Sequence, residues 1–164
     1  MQQAHFTRQD SVFLIGSFGA SCVLIFGATN SPLAQPRNLI GGHLLASIIG
    51  VAIHKVIPDQ LWLSSALAVS LAIVCMQITK TMHPPAGATA LIANIGSEKI
   101  TGLGFYYTLT PVMSGVFILL FTALIVNNIP PKRSYPVKSL SWLKLYSQRV
   151  RAFIRRHAST PRTH

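Results

Sequence analysis

Acid is what this chain has least of: three Asp and Glu among 164 residues, with charged side chains only 10% of the total against 50% hydrophobic. So little charge cannot solvate a globule of this size, and so much apolar content excludes a disordered chain. Chemistry that rests on carboxylates goes with it. Asp10, Asp59 and Glu98 all lie outside the apolar runs, which disfavours paired acids for general acid–base work, an acidic Na⁺ site and a carboxylate proton relay. Also missing are a Gly-rich phosphate loop followed by Lys, a Ser with a His and an acid in any familiar nucleophile setting, and Cys/His metal spacing. Neither an enzyme nor a cofactor is expected. Cys22 and Cys75 fall inside apolar runs with no pairing pattern and read as buried thiols.

Long apolar runs are what the chain does have. Residues 11–28, 39–57, 61–79 and 105–126 form four blocks, each of about 18 to 22 residues and long enough to cross a hydrocarbon core of roughly 30 Å. The first lacks the basic start of a signal peptide, and Gly19-Ala20-Ser21-Cys22 has Gly where a lipoprotein cleavage site wants Leu, so it is read as retained. Thr29-Asn30-Ser31-Pro32 and Gln35-Pro36-Arg37-Asn38 form a turn-rich link to the second block, and Pro58-Asp59 a tight one to the third. After Lys80 comes His83-Pro84-Pro85-Ala86-Gly87-Ala88-Thr89-Ala90, leading into an apolar piece over residues 91–95 that is too short to span. Paired prolines suit a helix start, where their missing N–H groups cost nothing. The pattern predicts a half-helix dipping into protein-lined membrane and returning to its own side. The expected fold is therefore all-α: a polytopic transmembrane helical bundle of about four spans plus a re-entrant or broken half-helix, over residues 1–136.

The formal charge of +11 points to nucleic acid until its location is considered, since nine of the fourteen Lys and Arg lie between Lys132 and Arg162. The excess belongs to a tail, residues 137–164, in which Trp142, Tyr146, Val150 and Phe153 share a helical face flanked by Lys144, Arg149, Arg151, Arg155 and Arg156. Anionic lipid explains such a helix, and nucleic acid is not expected as a partner. The expected location is a bacterial inner membrane, and cation bias places the C-terminus on the cytoplasmic side. Four crossings then put the N-terminus there too, with the Arg37 loop and residues 80–104 on the opposite side.

Gly19-Ala20-Ser21-Cys22-Val23-Leu24-Ile25 and Gly87-Ala88-Thr89-Ala90-Leu91-Ile92-Ala93 echo one another: small, small, hydroxyl, small, then aliphatic. Two related units with matching interrupted helices would produce this, and so would the general use of small residues in packed membrane helices. A helix N-terminus holds an anion without a buried cation of full charge, through unpaired N–H groups and the helix dipole. Residues 83–89 supply such an end. Gly87 would allow close backbone approach, Thr89 a hydroxyl donor, and His83 and Lys80 charge or a proton; the end near Gly19, Ala20 and Ser21 would match it. The alternative is that Pro84 and Pro85 merely separate two helices. Arg37, beside Asn38 at the start of the second span, is unfavourable for the helix dipole, so it either gathers anions or hydrogen-bonds carbonyls of the proline-rich loop. His43 and His54 share a helical face at about 16 Å separation, too far for a shared metal. His43, next to Gly41 and Gly42, is a candidate for lining a path.

At the stretch from His83 to Ala90 the chain closely resembles the HPP family of integral membrane proteins, named for that tripeptide. Ile15-Gly16-Ser17-Phe18-Gly19-Ala20-Ser21, then Ser31-Pro32-Leu33-Ala34-Gln35-Pro36-Arg37-Asn38 with Gly41-Gly42-His43, and Asn127-Asn128 with Tyr135-Pro136, look like its other signatures. The resemblance covers residues 11–136. It implies a small multi-span protein whose studied relatives, in cyanobacteria and plastids, are associated with nitrite transport. This chain departs from the usual pattern in lacking the apolar segment generally found ahead of Gly16: either it dispenses with that span, or a partner subunit fills the space, or the start is truncated. Taken together, the expectation is a transporter or channel for a small inorganic anion, embedded in the lipid bilayer as a homo-oligomer. A non-transporting scaffold acting through its basic tail is the alternative.

Overall fold

The structure is a computed structural model and describes residues 8–131 and 133–137. Every regular element among these residues is helical, as the apolar runs require. The tail helix expected beyond residue 137 lies outside the described residues.

Helix α1 (Arg8–Gly27) leads through a 3₁₀ turn (Pro32–Ala34) to α2 (Pro36–Val56). Ser31 caps the turn by accepting from the Leu33 amide at 3.2 Å, and the Gln35 side chain donates to Thr29 O and Ser31 O. Pro36 opens α2, where a missing N–H costs nothing. Helix α3 (Leu61–Ile78) ends in a Schellman motif, in which Thr81 N donates to Met76 O and Lys80 N to Gln77 O. Lys80 takes the left-handed position at φ 55, where glycine is usual. Helix α4 (Ala86–Ile95) starts directly after Pro85, and the single turn α5 (Glu98–Thr101) is capped by Ser97. The last passage, residues 108–126, is kinked at an extended Thr110 ahead of Pro111, beyond which the chain runs on into α6 (Ser114–Val126). Helices at Pro36–Val56, Leu61–Ile78 and Thr108–Val126 are each long and apolar enough to cross a membrane, and shorter apolar helices lie at Phe13–Gly27 and Ala86–Ile95. Large apolar side chains such as Val23, Trp62, Ile118 and Phe121 point outward, as a lipid-facing surface demands.

The half-helix is present, but it does not return to its own side. Contacts along α2 fix its path: Arg37 Nη2 donates to Thr79 O, Gly41 lies against Thr81, Gly42 against His83, His43 against Thr89, and Gly50 against Ala90 and Asn94. Residues 79–95 thus run beside α2 in the same direction, and antiparallel to α1, where Ser21 meets His83, Ser17 meets Thr89 and Asp10 meets Ser97. From Arg37 to Gly50 is about 20 Å of helix rise. The interrupted segment is a fifth passage, and Arg8 and Val126 lie at opposite ends of the bundle.

Placement of the loops changes accordingly. Tyr135 OH donates to Ala34 O at 2.7 Å, Val137 N to Gln35 Oε1 at 2.9 Å, and Asn127 Nδ2 to Ile25 O at 3.3 Å. Burial pushes the Tyr135 hydroxyl up to about 12, so it remains a donor. The Arg37 loop therefore shares its side with the start of the basic tail, contrary to the expectation that they oppose one another. Lys55 is at the other end, its ammonium 5.6 Å from the Phe105 ring. Asp10, Asp59 and Glu98 are all at that end too, whereas Arg37, Lys80 and Arg133 are at the Asn127 end.

Candidate functional site

Between an apolar cluster at the Asp10 end (Leu14, Val51, Ile92, Tyr107) and another at the Asn127 end (Ile25, Leu39, Met113, Tyr135) sits a knot of polar side chains. On α1 the buried face runs Leu14, Ser17, Ser21, Ile25, a helical spacing that places two hydroxyls mid-depth. On α2 it presents His43, and glycines beside it admit the interrupted passage: a Cβ at Gly42 would lie 2.7 Å from His83 Cβ, and one at Gly50 would lie 2.6 Å from Ala90 O. Phe18, packed into the space left by Gly115, lies against the His43 ring at 5.8 Å between centroids.

Five side chains form one connected chain of hydrogen bonds. Ser17 Oγ is 3.0 Å from Thr89 Oγ1, Thr89 Oγ1 is 2.8 Å from His43 Nδ1, His43 Nε2 is 3.0 Å from Ser21 Oγ, and Ser21 Oγ is 3.0 Å from His83 Nε2. His83 Nδ1 closes the series 2.9 Å from Leu33 O. Ser21, His43 and His83 have no exposed surface. Donor and acceptor roles follow from matching. A carbonyl only accepts, so His83 Nδ1 carries a proton and, in a neutral ring, Nε2 accepts from Ser21. Ser21 has one proton, so it accepts from His43 Nε2–H. His43 Nδ1 then accepts from Thr89, and Thr89 accepts from Ser17. Ser17 Oγ and Ser21 Oγ also lie 3.2 Å from Pro85 O and Ser17 O, alternative acceptors for the same protons. Tyr107, fully buried, donates to Thr89 O at 3.1 Å and holds the start of α4 in place.

Of the residues nominated from sequence, Ser21, His43, His83 and Thr89 converge here. The others do not. Helix α1 is unbroken through Gly19 and Ala20, both exposed, with nothing within 4 Å of a Cβ at Gly19, so no helix end faces the site there. At α4 the helix end exists but its amides are occupied: Ala86, Gly87 and Ala88 N–H donate to the carbonyls of His83, Pro84 and Pro85. Anion binding by half-helix amides is therefore unavailable in this conformation, because the turn that starts the helix satisfies the donors the anion would need. Pro84 is exposed and Pro85 half-buried; they contribute carbonyls to that turn. Gly87 makes no close backbone approach, a Cβ there meeting only Val69 Cγ1 at 3.9 Å. Asn38 donates to Met82 O at 2.7 Å, and Arg37 to Thr79 O at the α3 terminus rather than to the proline-rich loop. The two side chains satisfy carbonyls of a stretch that is not helical.

Arg37, Asn38 and Lys80 do border open space: a cavity of about 570 Å³ lined also by Gln35, Met82 and Val137. It carries two cations and lies one residue from His83, through Met82. Sequence reasoning missed Ser17 as a participant, although its spacing of four from Ser21 would have placed both on one face, and it missed Gly42 and Tyr107, whose roles depend on tertiary packing. Among the described residues no three His, Cys, Asp or Glu side chains gather as a metal site.

The family description "HPP, transmembrane region" matches residues 1–136. Two similar proteins come from Dictyostelium discoideum, both described as transmembrane proteins. One is 53% identical over 133 residues, covering 79% of this chain and 42% of its own length; the other is 52% identical over 127 residues, covering 76% and 44%. The chain thus spans less than half the length of these curated relatives. No solved structure matches it.

Proposed function

The chain belongs to the HPP transmembrane family, and we propose that it is a transporter or channel for a small monovalent anion, with nitrite the leading candidate. One observation carries this reading: two imidazoles and three hydroxyls are buried together at mid-depth of an apolar bundle. Polar groups of this kind are costly inside a membrane and mark a path more often than they stabilise. Hydroxyl and imidazole N–H donors suit an anion's oxygens. The cavity bearing Arg37 and Lys80 serves as the mouth that gathers the anion, and the knot, closed in this conformation, is the site it reaches on opening. The basic tail that follows Val137 favours a cytoplasmic mouth and Asn127 end, with the Asp10 end on the other side.

Reconstituted into liposomes, the protein should carry nitrite faster than protein-free vesicles, in a comparison with nitrate, chloride and formate. Ser21→Ala and Thr89→Ala should each slow nitrite roughly tenfold or more, as loss of an intramembrane binding donor would. Arg37→Gln should slow it only a few-fold, and less at high salt, because steering is screened. Nitrite entry unchanged in both hydroxyl variants would sink the site.

A further inference from the structure

We propose that the series Ser17, Thr89, His43, Ser21, His83 is a proton wire opening toward the Arg37–Lys80 mouth, and that the transported anion crosses together with one proton. This rests on the anion-transport reading above. Three observations lead to it.

The hydrogen bonds have one direction. Anchored by Leu33 O, which can only accept, every donor from Ser17 to His83 points the same way, with heavy-atom separations of 2.8 to 3.0 Å along the chain. A proton arriving at Ser17 Oγ displaces the Ser17 proton to Thr89, that of Thr89 to His43 Nδ1, that of His43 Nε2 to Ser21, and that of Ser21 to His83 Nε2. The His83 Nδ1 proton, held by Leu33 O, leaves from the His83 end of the series, which adjoins the mouth through Met82. One proton enters, one leaves, and hydroxyl rotation with imidazole tautomer exchange resets the chain. Run backwards, the same series admits a proton from the mouth.

Among the described residues the knot also contains no fixed charge. The titratable groups facing the chain are the two imidazoles themselves, 5.1 Å apart, and Tyr107, which donates to Thr89 O. Around them α1 presents Phe18, Ser17 and Ser21, α3 presents Met76 against Gly42, and α4 presents Thr89. Arg37 is held at the mouth by Thr79 O, and Lys80 is exposed there. An anion brought to this depth alone would be an uncompensated buried charge.

The remaining device for neutralising it, the amide cluster at the start of α4, is occupied by its own turn. A proton on an imidazole is the counter-charge this site is built to supply, and the wire is its route.

The test uses the full-length chain in vesicles with a trapped pH indicator and potassium plus valinomycin to set the membrane potential. Nitrite entry should acidify the lumen by one proton per anion and be insensitive to potential. Ser21→Ala, which separates the imidazoles, should cut this proton movement roughly tenfold or more, while Ser21→Thr, retaining the hydroxyl, should keep most of it. His83→Gln, keeping hydrogen-bonding capacity without a transferable ring proton, should behave like Ser21→Ala. Nitrite entry that is driven by potential and leaves internal pH unchanged would overturn the wire and leave the transport reading standing. Protein-dependent proton conduction with no nitrite entry would support the wire and overturn the cargo. Neither movement would overturn both.

Discussion

Residues 19–25 and 87–93 have the same pattern of residue types, and the structure treats them differently. The first stretch lies in the middle of an unbroken helix with Gly19 and Ala20 turned outward; the second begins a ten-residue half-helix behind two prolines. Yet their hydroxyls do the same thing. Ser21 meets one nitrogen of His43 at 3.0 Å and Thr89 meets the other at 2.8 Å. What the two stretches share is a hydroxyl delivered to one ring from two antiparallel passages, not a pair of interrupted helices. The sequence pattern therefore encodes the contact with His43, and the prolines encode something else: the route by which the second hydroxyl arrives.

The largest effects should come from breaking that shared ring. Ser21→Ala leaves two buried imidazole nitrogens without their partner and Thr89→Ala leaves one, which should cost about 1–3 kcal/mol per unsatisfied nitrogen in thermal or denaturant unfolding of the detergent-solubilised protein. Because both hydroxyls act through His43, the double variant should lose less than the sum of the singles, by an interaction energy of roughly 0.5–3 kcal/mol. Strict additivity would mean that the two stretches are independent and the likeness between them is accidental.

Next comes the device that lets the second stretch reach the ring. Gly42→Ala places a methyl 2.7 Å from His83 Cβ and 3.1 Å from Thr81 O, where the neighbouring atom is backbone or close to it and cannot swing aside. Overpacking of this kind costs roughly 1–3 kcal/mol, and here it should also displace His83 and lower nitrite flux. A variant as stable and as active as the parent would show that the close approach of α2 to residues 81–83 is not needed.

Much of this was legible in the residues. Four apolar blocks gave helical passages, the Pro84-Pro85 pair followed by a short apolar piece gave a half-helix, and four of the nominated side chains meet in one place. The passage count was not legible, for a geometric reason. A reading that allots 1.5 Å per residue finds ten helical residues too short to cross, whereas the non-helical residues ahead of them carry the passage along α2 from Arg37, which meets Thr79, to Gly50, which meets Ala90 and Asn94. Nothing local distinguishes such a stretch from a loop, because carbonyls of its non-helical part are satisfied by Arg37 and Asn38 from a distant part of the chain. From this one passage follow the side on which Arg37 lies and the opposed ends of the bundle. Occupancy of the α4 amides was equally hidden, since the same prolines begin a helix whether its first N–H groups are open or turned back on residues 83–85.

Lys80 offers a smaller effect that separates backbone from charge at the mouth. Held at φ 55, a side chain with a Cβ is strained by roughly 1–2 kcal/mol, which glycine would relieve. Lys80→Gly should therefore stabilise the fold, partly offset by the greater freedom of glycine in the unfolded chain, while slowing anion uptake at low ionic strength. Equal uptake at low and high salt in both forms would remove Lys80 from the mouth's role without touching the knot.

The smallest change returns to the two matching glycines. Were each to serve a helix end that binds an anion through its amides, alanine at either would obstruct the approach and reduce flux. The space around them argues otherwise: a Cβ at Gly19 meets nothing within 4 Å, and one at Gly87 makes an ordinary contact with Val69. Both residues are helical, so Gly19→Ala and Gly87→Ala should leave nitrite flux within about two-fold and raise stability by up to roughly 0.5–1 kcal/mol, the usual gain on removing glycine from a helix. A many-fold loss of flux in Gly87→Ala alone would mean that the amides of Ala86, Gly87 and Ala88 exchange their turn carbonyls for an anion when the site opens. The two stretches would then differ in function as well as in backbone, and the half-helix rather than the His43 ring would be the place where the anion is held.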